Sequence, residues 1–168
     1  MDGVIADFDS WIEGYKENEE NAERFKAAVI EEAVFYNLKR MPNAKKLVNG
    51  LIEMVMSNPS IELEILTSVG TKDPNLGSIV AKQKQMWLEK QSWGFIKMNT
   101  VTEKVEKSDY ATPDSLLIDD RTGCVHPFRE EGGRAILYSD DKVDEVLQAI
   151  EEHAIILTKT LDKVDDLV

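Results

Sequence analysis

Two neighbouring carboxylates, Asp119 and Asp120, follow directly on the apolar run Leu116-Leu117-Ile118. Acids at the exit of a buried strand are costly unless a cation or hydrogen bonds compensate them. Mg²⁺ takes a few carboxylates and fills its other positions with water and substrate oxygens, so this pair is a candidate cation site; a plain acidic turn is the competing account. Thr67-Ser68 stands in the same relation to Leu63-Glu64-Ile65-Leu66. Hydroxyls beside free backbone amides can bind an anion, or simply close a turn. Lys107, twelve residues before Asp119, can reach back to a phosphate as a point charge. Lys84 is its rival for that role, and a solvated surface lysine is the alternative for either. Asp2-Gly3 reads as a turn at the head of the sequence, or as an ordinary polar terminus.

The elements that would position these residues alternate. Residues 11–39 are rich in Glu, Lys, Ala and Asn and read as one or two helices ending before Met41-Pro42. Asn43 is placed to cap a helix running to about Ser57, with Ala44, Leu47, Val48, Leu51 and Val55 on its apolar face. Asn58-Pro59-Ser60 breaks the chain, and 61–66 is a strand entering a core. Residues 71–77 read as a loop around Pro74, 79–91 as a helix, 95–101 as a short strand, and 115–118 and 135–138 as buried strands. A last helix starts near Asp141. Strands alternating with helices imply an open, mostly parallel α/β sheet with ligands at the C-terminal strand ends.

The composition narrows the function classes. In 168 residues, 42% are hydrophobic, enough for one domain with a core. With 32 acidic and 20 basic residues the formal charge is −12, which repels nucleic acid and anionic membrane but leaves a small phosphorylated substrate open. A single cysteine, Cys124, and the lack of any long apolar run point to a reducing, cytoplasmic setting without a membrane span.

Taken in order, Asp2-Gly3-Val4-x-Ala6-Asp7-Phe8, Thr67-Ser68, Lys107 and Asp119-Asp120-Arg121 resemble the four motifs of haloacid-dehalogenase-like phosphatases. The nearest variant is the 5'(3')-deoxyribonucleotidase group with its short bacterial and phage relatives. Lys84-x-x-Trp87-Leu88-Glu89 and Gly132-Gly133-x-Ala135-Ile136-Leu137 support it, and the likeness spans about residues 1–140. The resemblance implies a Rossmann-like sheet flanked by helices, with residues 10–45 as a helical cap and 141–168 as a C-terminal helical segment. It implies a Mg²⁺-dependent phosphomonoester hydrolase, acting on a nucleotide or similar small phosphate through an aspartyl-phosphate. Asp2 matches the acid/base, Thr67 and Ser68 the phosphate-binding hydroxyls, and Lys107 the lysine that stabilises phosphate and nucleophile. Lys84 is carried as a further substrate contact. Asp119 and Asp120, with Asp2, match the metal-binding acids, with the direct Mg²⁺ contact on Asp120, and Phe8 matches a position that packs on the base.

In the family the first motif reads Asp-x-Asp-Gly, and Met1 stands at the x. The nucleophilic Asp and the apolar strand leading into it would therefore precede Met1. The expectation is a natural chain that extends upstream, with a non-catalytic phosphate- or nucleotide-binding partner protein as the alternative. The acidic balance argues against a phosphatase of nucleic-acid ends.

Three smaller features complete the reading. Cys124-Val125-His126 has the residue types of a metal pair but lacks further ligands. Trp11, Phe35 and Tyr36 are divided between core packing and the substrate face of the cap. Val143, Leu147, Ile150, Ala154, Leu157, Leu161, Val164 and Val168 form a heptad seam. As one helix it would be roughly 39 Å long; its end either docks on a second copy of the chain or folds back on its own sheet.

Overall fold

Four short strands, each fed by an apolar run, carry the architecture of the computed structural model, which describes residues 1–12 and 19–152. β1 (Glu64–Ser68) pairs in parallel with β2 (Lys97–Val101), Thr67 facing Thr100. β3 (Leu116–Asp119) pairs in parallel with β4 (Arg134–Leu137), Asp119 facing Leu137. These are two separate two-stranded sheets rather than one. The chain is mixed α/β, as expected, but the open sheet is split, and among the described residues β1 and β3 each pair along one edge only.

The two halves nevertheless match face for face. Ile65 of β1 and Leu116 and Ile118 of β3 pack against the main core. Leu66 of β1 packs against a smaller cluster holding Leu117 of β3 with Cys124, Val125 and Phe128. Both C-terminal ends also converge on the first residues of the chain. These are the relations expected of neighbouring parallel strands in one twisted sheet, interrupted by a seam. Ile65, Leu66, Leu116 and Ile118 remain only half-buried along it, although continuous apolar runs of this kind belong to strands covered on both faces.

Helices occupy the rest. α1 (Asp9–Ile12), α2 (Glu19–Ile30) and α3 (Val34–Asn37) fill the segment expected to be a helical cap, as three described pieces rather than one or two. They are bolted to α5 (Pro74–Lys90). Buried Gln83 accepts from the Phe35 amide at 3.2 Å and donates to the Val29 carbonyl at 2.6 Å, and Trp87 Nε1 donates to the Leu38 carbonyl at 2.8 Å. α4 (Ala44–Ser57) buries Ala44, Leu47 and Val48 as its periodicity predicts. Asn43 does not cap it: its amide groups are taken by Asp140, across the fold.

Two boundaries differ from the sequence reading. α5 begins at Pro74, inside the expected loop, because Pro sits in its first turn and Asp73 caps it by accepting from Asn75 and Leu76 at 2.9 and 3.3 Å. A helix not anticipated at all, α6 (Thr122–Glu130), follows β3 despite Gly123 and Pro127. Burial of Cys124, Val125 and Phe128 outweighs the poor intrinsic propensity. Residues 143–152 form α7. Val143, Val146 and Ile150 are buried in the chain's own core, and Leu147 reaches Gly50 of α4. The heptad positions from Ala154 onward lie outside the described residues.

Candidate functional site

Residues 1–8 form the floor of the site. The Met1 carbonyl accepts from the amides of Val4, Ile5 and Ala6, folding the chain back on itself, and Ala6 bridges to Arg40. Gly3 makes this possible twice over. Its φ of +72° is left-handed, and a Cβ there would land on the carboxylate of Asp120. The turn is therefore shaped to let the acid after β3 lie against the backbone beside Asp2.

Lys84, wholly buried on α5, holds the first half together. Its Nζ donates to Asp2 Oδ2 at 2.5 Å, to Thr67 Oγ1 at 2.8 Å and to the Ser68 carbonyl at 2.8 Å. Three ammonium protons meet three acceptors, which is the charged form's full complement. Burial pulls its pKa below the usual lysine range, and the Asp2 carboxylate opposes that shift. The ring of Phe35 lies 4.7 Å from Nζ and closes the far side. Thr67 spends a lone pair on Lys84; its own hydroxyl hydrogen has no acceptor among the described residues and is free to donate. Asp2 likewise spends one oxygen, and its Oδ1 is buried without a partner.

Lys107 holds the second half. It sits on a 3-10 helix, Lys104–Tyr110, begun by a reciprocal capping box between Glu103 and Glu106. Its Nζ donates to Asp119 Oδ2 at 2.6 Å, while Asp119 Oδ1 accepts from the Arg121 amide at 3.0 Å. Burial alone would raise the Asp119 pKa. The Lys107 charge and hydrogen bond, with the Arg121 amide, outweigh it and hold the acid below its ordinary value. Asp120 goes the other way: burial first, then the charge of Asp119, push its pKa up. Its nearest cation is Arg121 Nε at 3.7 Å.

Asp2, Thr67, Ser68, Lys84, Lys107, Asp119 and Asp120 are thus brought to one corner, at the C-terminal ends of β1 and β3. The rivalry between the two lysines dissolves, since each serves one half. Phe8 is buried, stacked on Phe35 with centroids 5.2 Å apart and on Trp11 at 5.6 Å, so its ring is committed to the core. Tyr36 lies under Lys90. A cleft of about 310 Å³ opens between α1 and α3, lined by Asp7, Ser10, Trp11, Val34, Asn37 and Lys39 among others. Of the motif residues Asp7 alone is among those lining it.

The corner fits a divalent cation by charge. Asp2 Oδ1 and the Asp120 carboxylate flank Gly3 and are the two under-compensated acids, whereas both Asp119 oxygens are already engaged. Among the described residues no group of three or more His, Cys, Asp or Glu converges tightly enough to hold a metal alone. Mg²⁺ ordinarily needs only one or two carboxylates with water and phosphate oxygens. Cys124 is buried beside Asp119 with its thiol pushed up to about 11 by burial, an inert thiol rather than a ligand. No helix of the described residues is long and apolar enough to cross a membrane.

The signal that sequence reasoning missed is Arg121. Read only as the end of an acidic motif, it is a cation at this corner whose side chain is open to solvent, 43% exposed. Comparison with protein-family models, with curated proteins and with solved structures finds no match to this chain.

Proposed function

We propose that this chain is the body of a Mg²⁺-dependent phosphomonoester hydrolase of the haloacid-dehalogenase-like kind, acting on a nucleotide or a similar small phosphate. One observation carries the reading. Four sequence motifs spread over more than a hundred residues meet in two hydrogen-bonded pairs, Asp2 and Thr67 sharing Lys84 and Asp119 taking Lys107, and Asp120 lies against Gly3 between them.

The chemistry follows from what each group has left to give. Thr67 can donate its free hydroxyl hydrogen to a phosphoryl oxygen. Lys107, with one of its three protons spent on Asp119, can offer another. Asp2, held in place by Lys84, can pass a proton to the leaving ester oxygen and take one back from water. Mg²⁺ held by Asp120, with water and phosphate oxygens, would neutralise charge on the transferring group.

The reaction also needs a nucleophilic carboxylate, which the resemblance assigns to the residue before Met1. The seam between β1 and β3 supports that assignment. An apolar strand lying there, parallel to both, would join the half-sheets and cover their half-buried side chains. It would deliver its last residue to the corner where Thr67 and Asp119 end their strands. The helices α1 to α3 would then serve as the cap.

The test extends the chain upstream of Met1 with an apolar strand ending in Asp. With Mg²⁺, the extended protein is expected to release phosphate from nucleoside monophosphates, and Asp2→Asn is expected to abolish release. An extended, folded protein that stays inert across a nucleotide panel while binding nucleotide would leave a binding module in place of an enzyme.

A further inference from the structure

Arg121 is the residue at this corner with no settled partner. Its Nη2 lies 3.4 Å from Asp9 Oδ1, and its Nε lies 3.7 Å from Asp120 Oδ2. Both contacts are longer than a good charge-assisted hydrogen bond. Its side chain is 43% exposed and that of Asp9 63% exposed, so the pair is worth little as a stabilising contact. Lys84 and Lys107, by contrast, are each matched at 2.6 Å or less by one carboxylate. The guanidinium is therefore a cation that an incoming anion can engage without breaking a buried ion pair.

Position supports this. Arg121 reaches the same Asp120 oxygen that lies against Gly3, next to Asp2. Its charge also bears on Lys84. A planar fork suits a tetrahedral dianion, which it can hold through two parallel N–H groups. Asp9 begins α1, the first piece of the helical segment over the site. Its carboxylate occupies the guanidinium as a bound phosphate would.

We infer that Arg121 is the anion-recognition residue of this site and that Asp9 is its built-in competitor, displaced from the guanidinium when a phosphoryl group binds. This rests on the phosphatase reading of the corner and gives a role to a residue of the fourth motif to which that reading assigns none. It also links occupancy to the helical segment, because a bound phosphate releases α1 from its ionic contact with the β3 end.

Calorimetric titration of inorganic phosphate into the 168-residue chain with Mg²⁺ tests it. Arg121→Gln is expected to weaken binding about 10- to 100-fold, the worth of a bidentate charged contact. Asp9→Asn is expected to tighten it about 2- to 5-fold, the worth of an exposed ion pair. That tightening should vanish in the Asp9→Asn/Arg121→Gln double variant, which separates competition for the guanidinium from a general loss of negative charge. Thr67→Val provides the reference loss for the phosphate pocket. If Thr67→Val weakens binding while Arg121→Gln does not, the inference is wrong and the phosphatase reading stands. If Asp9→Asn tightens binding equally in both backgrounds, the competitor role falls. If the unmodified chain binds no phosphate, the inference falls, and the phosphatase reading is decided by the extended chain.

Discussion

Two lysine–aspartate pairs face each other across the seam, and they differ in how far the carboxylate is sealed. In Lys84–Asp2 the lysine is sealed, with 0% side-chain exposure, and the carboxylate is open, at 22% with one oxygen unspent. In Lys107–Asp119 both partners are sealed, the lysine at 8% and the carboxylate at 3%, and both carboxylate oxygens are spent. The first arrangement holds an acid at the edge of the site where it can exchange protons. The second uses an acid as an anchor for a cation. Similar residues at similar distances do different work because one pair is fully desolvated at its lysine alone and the other at both ends.

The largest expected effect breaks the anchor. Lys107→Met leaves Asp119 charged in a buried setting and should cost about 3–5 kcal/mol of unfolding free energy, read by chemical denaturation at pH 7. Lys84→Met should cost less, about 1–3 kcal/mol, because Asp2 can draw water and methionine keeps the packing on Phe35. Equal losses would erase the distinction between the pairs.

Acid titration sharpens it next. Asp119 has a folded pKa below its ordinary value of 3.8, so its contribution is fully present above about pH 4. That contribution is lost as pH falls further through the folded value. Stability should drop in that window, and the Asp119→Asn variant should show a shallower acid limb.

Asp120 carries the opposite sign. Its folded pKa is raised, so its penalty is present at neutral pH and is relieved as pH falls. Asp120→Asn should therefore stabilise the chain at pH 7, by about 0.5–2 kcal/mol, while weakening any response of the melting temperature to Mg²⁺. Destabilisation by that change would mean Asp120 is a structural acid like Asp119. The smallest effect concerns its neighbour in the lesser core. With its thiol near 11, Cys124 should resist alkylation at pH 8 in the folded chain and react only on unfolding.

How far the sequence could be read differs by element. Leu116-Leu117-Ile118 announced β3 because a short apolar run ended by two acids leaves few other options, although the strand lies one residue later than the expected 115–118 and takes in Asp119. Lys107 was placed by its distance from that strand, although the 3-10 helix presenting it left no periodic signal. The strand expected at 61–66 forms at Glu64–Ser68 instead, since alternation marks a strand but not its register. Phe95, expected to open the next strand, is left 71% exposed before β2 begins at Lys97. α6 was illegible, because Gly123 and Pro127 both argue against helix and only its fit over β3 and β4 overrides them.

The sequence by itself determined which residue types would meet at the strand ends, since apolar runs must be buried and whatever follows them emerges together at one edge. It also set the acidic surface and the helical character of residues 19–57. Only the tertiary structure decided which lysine serves which acid, that Phe8 belongs to the core, that the sheet is divided along a seam, and that Arg121 stands open beside Asp9. Those outcomes depend on desolvation and on distances between residues far apart in the chain, and neither quantity is written in local composition or spacing.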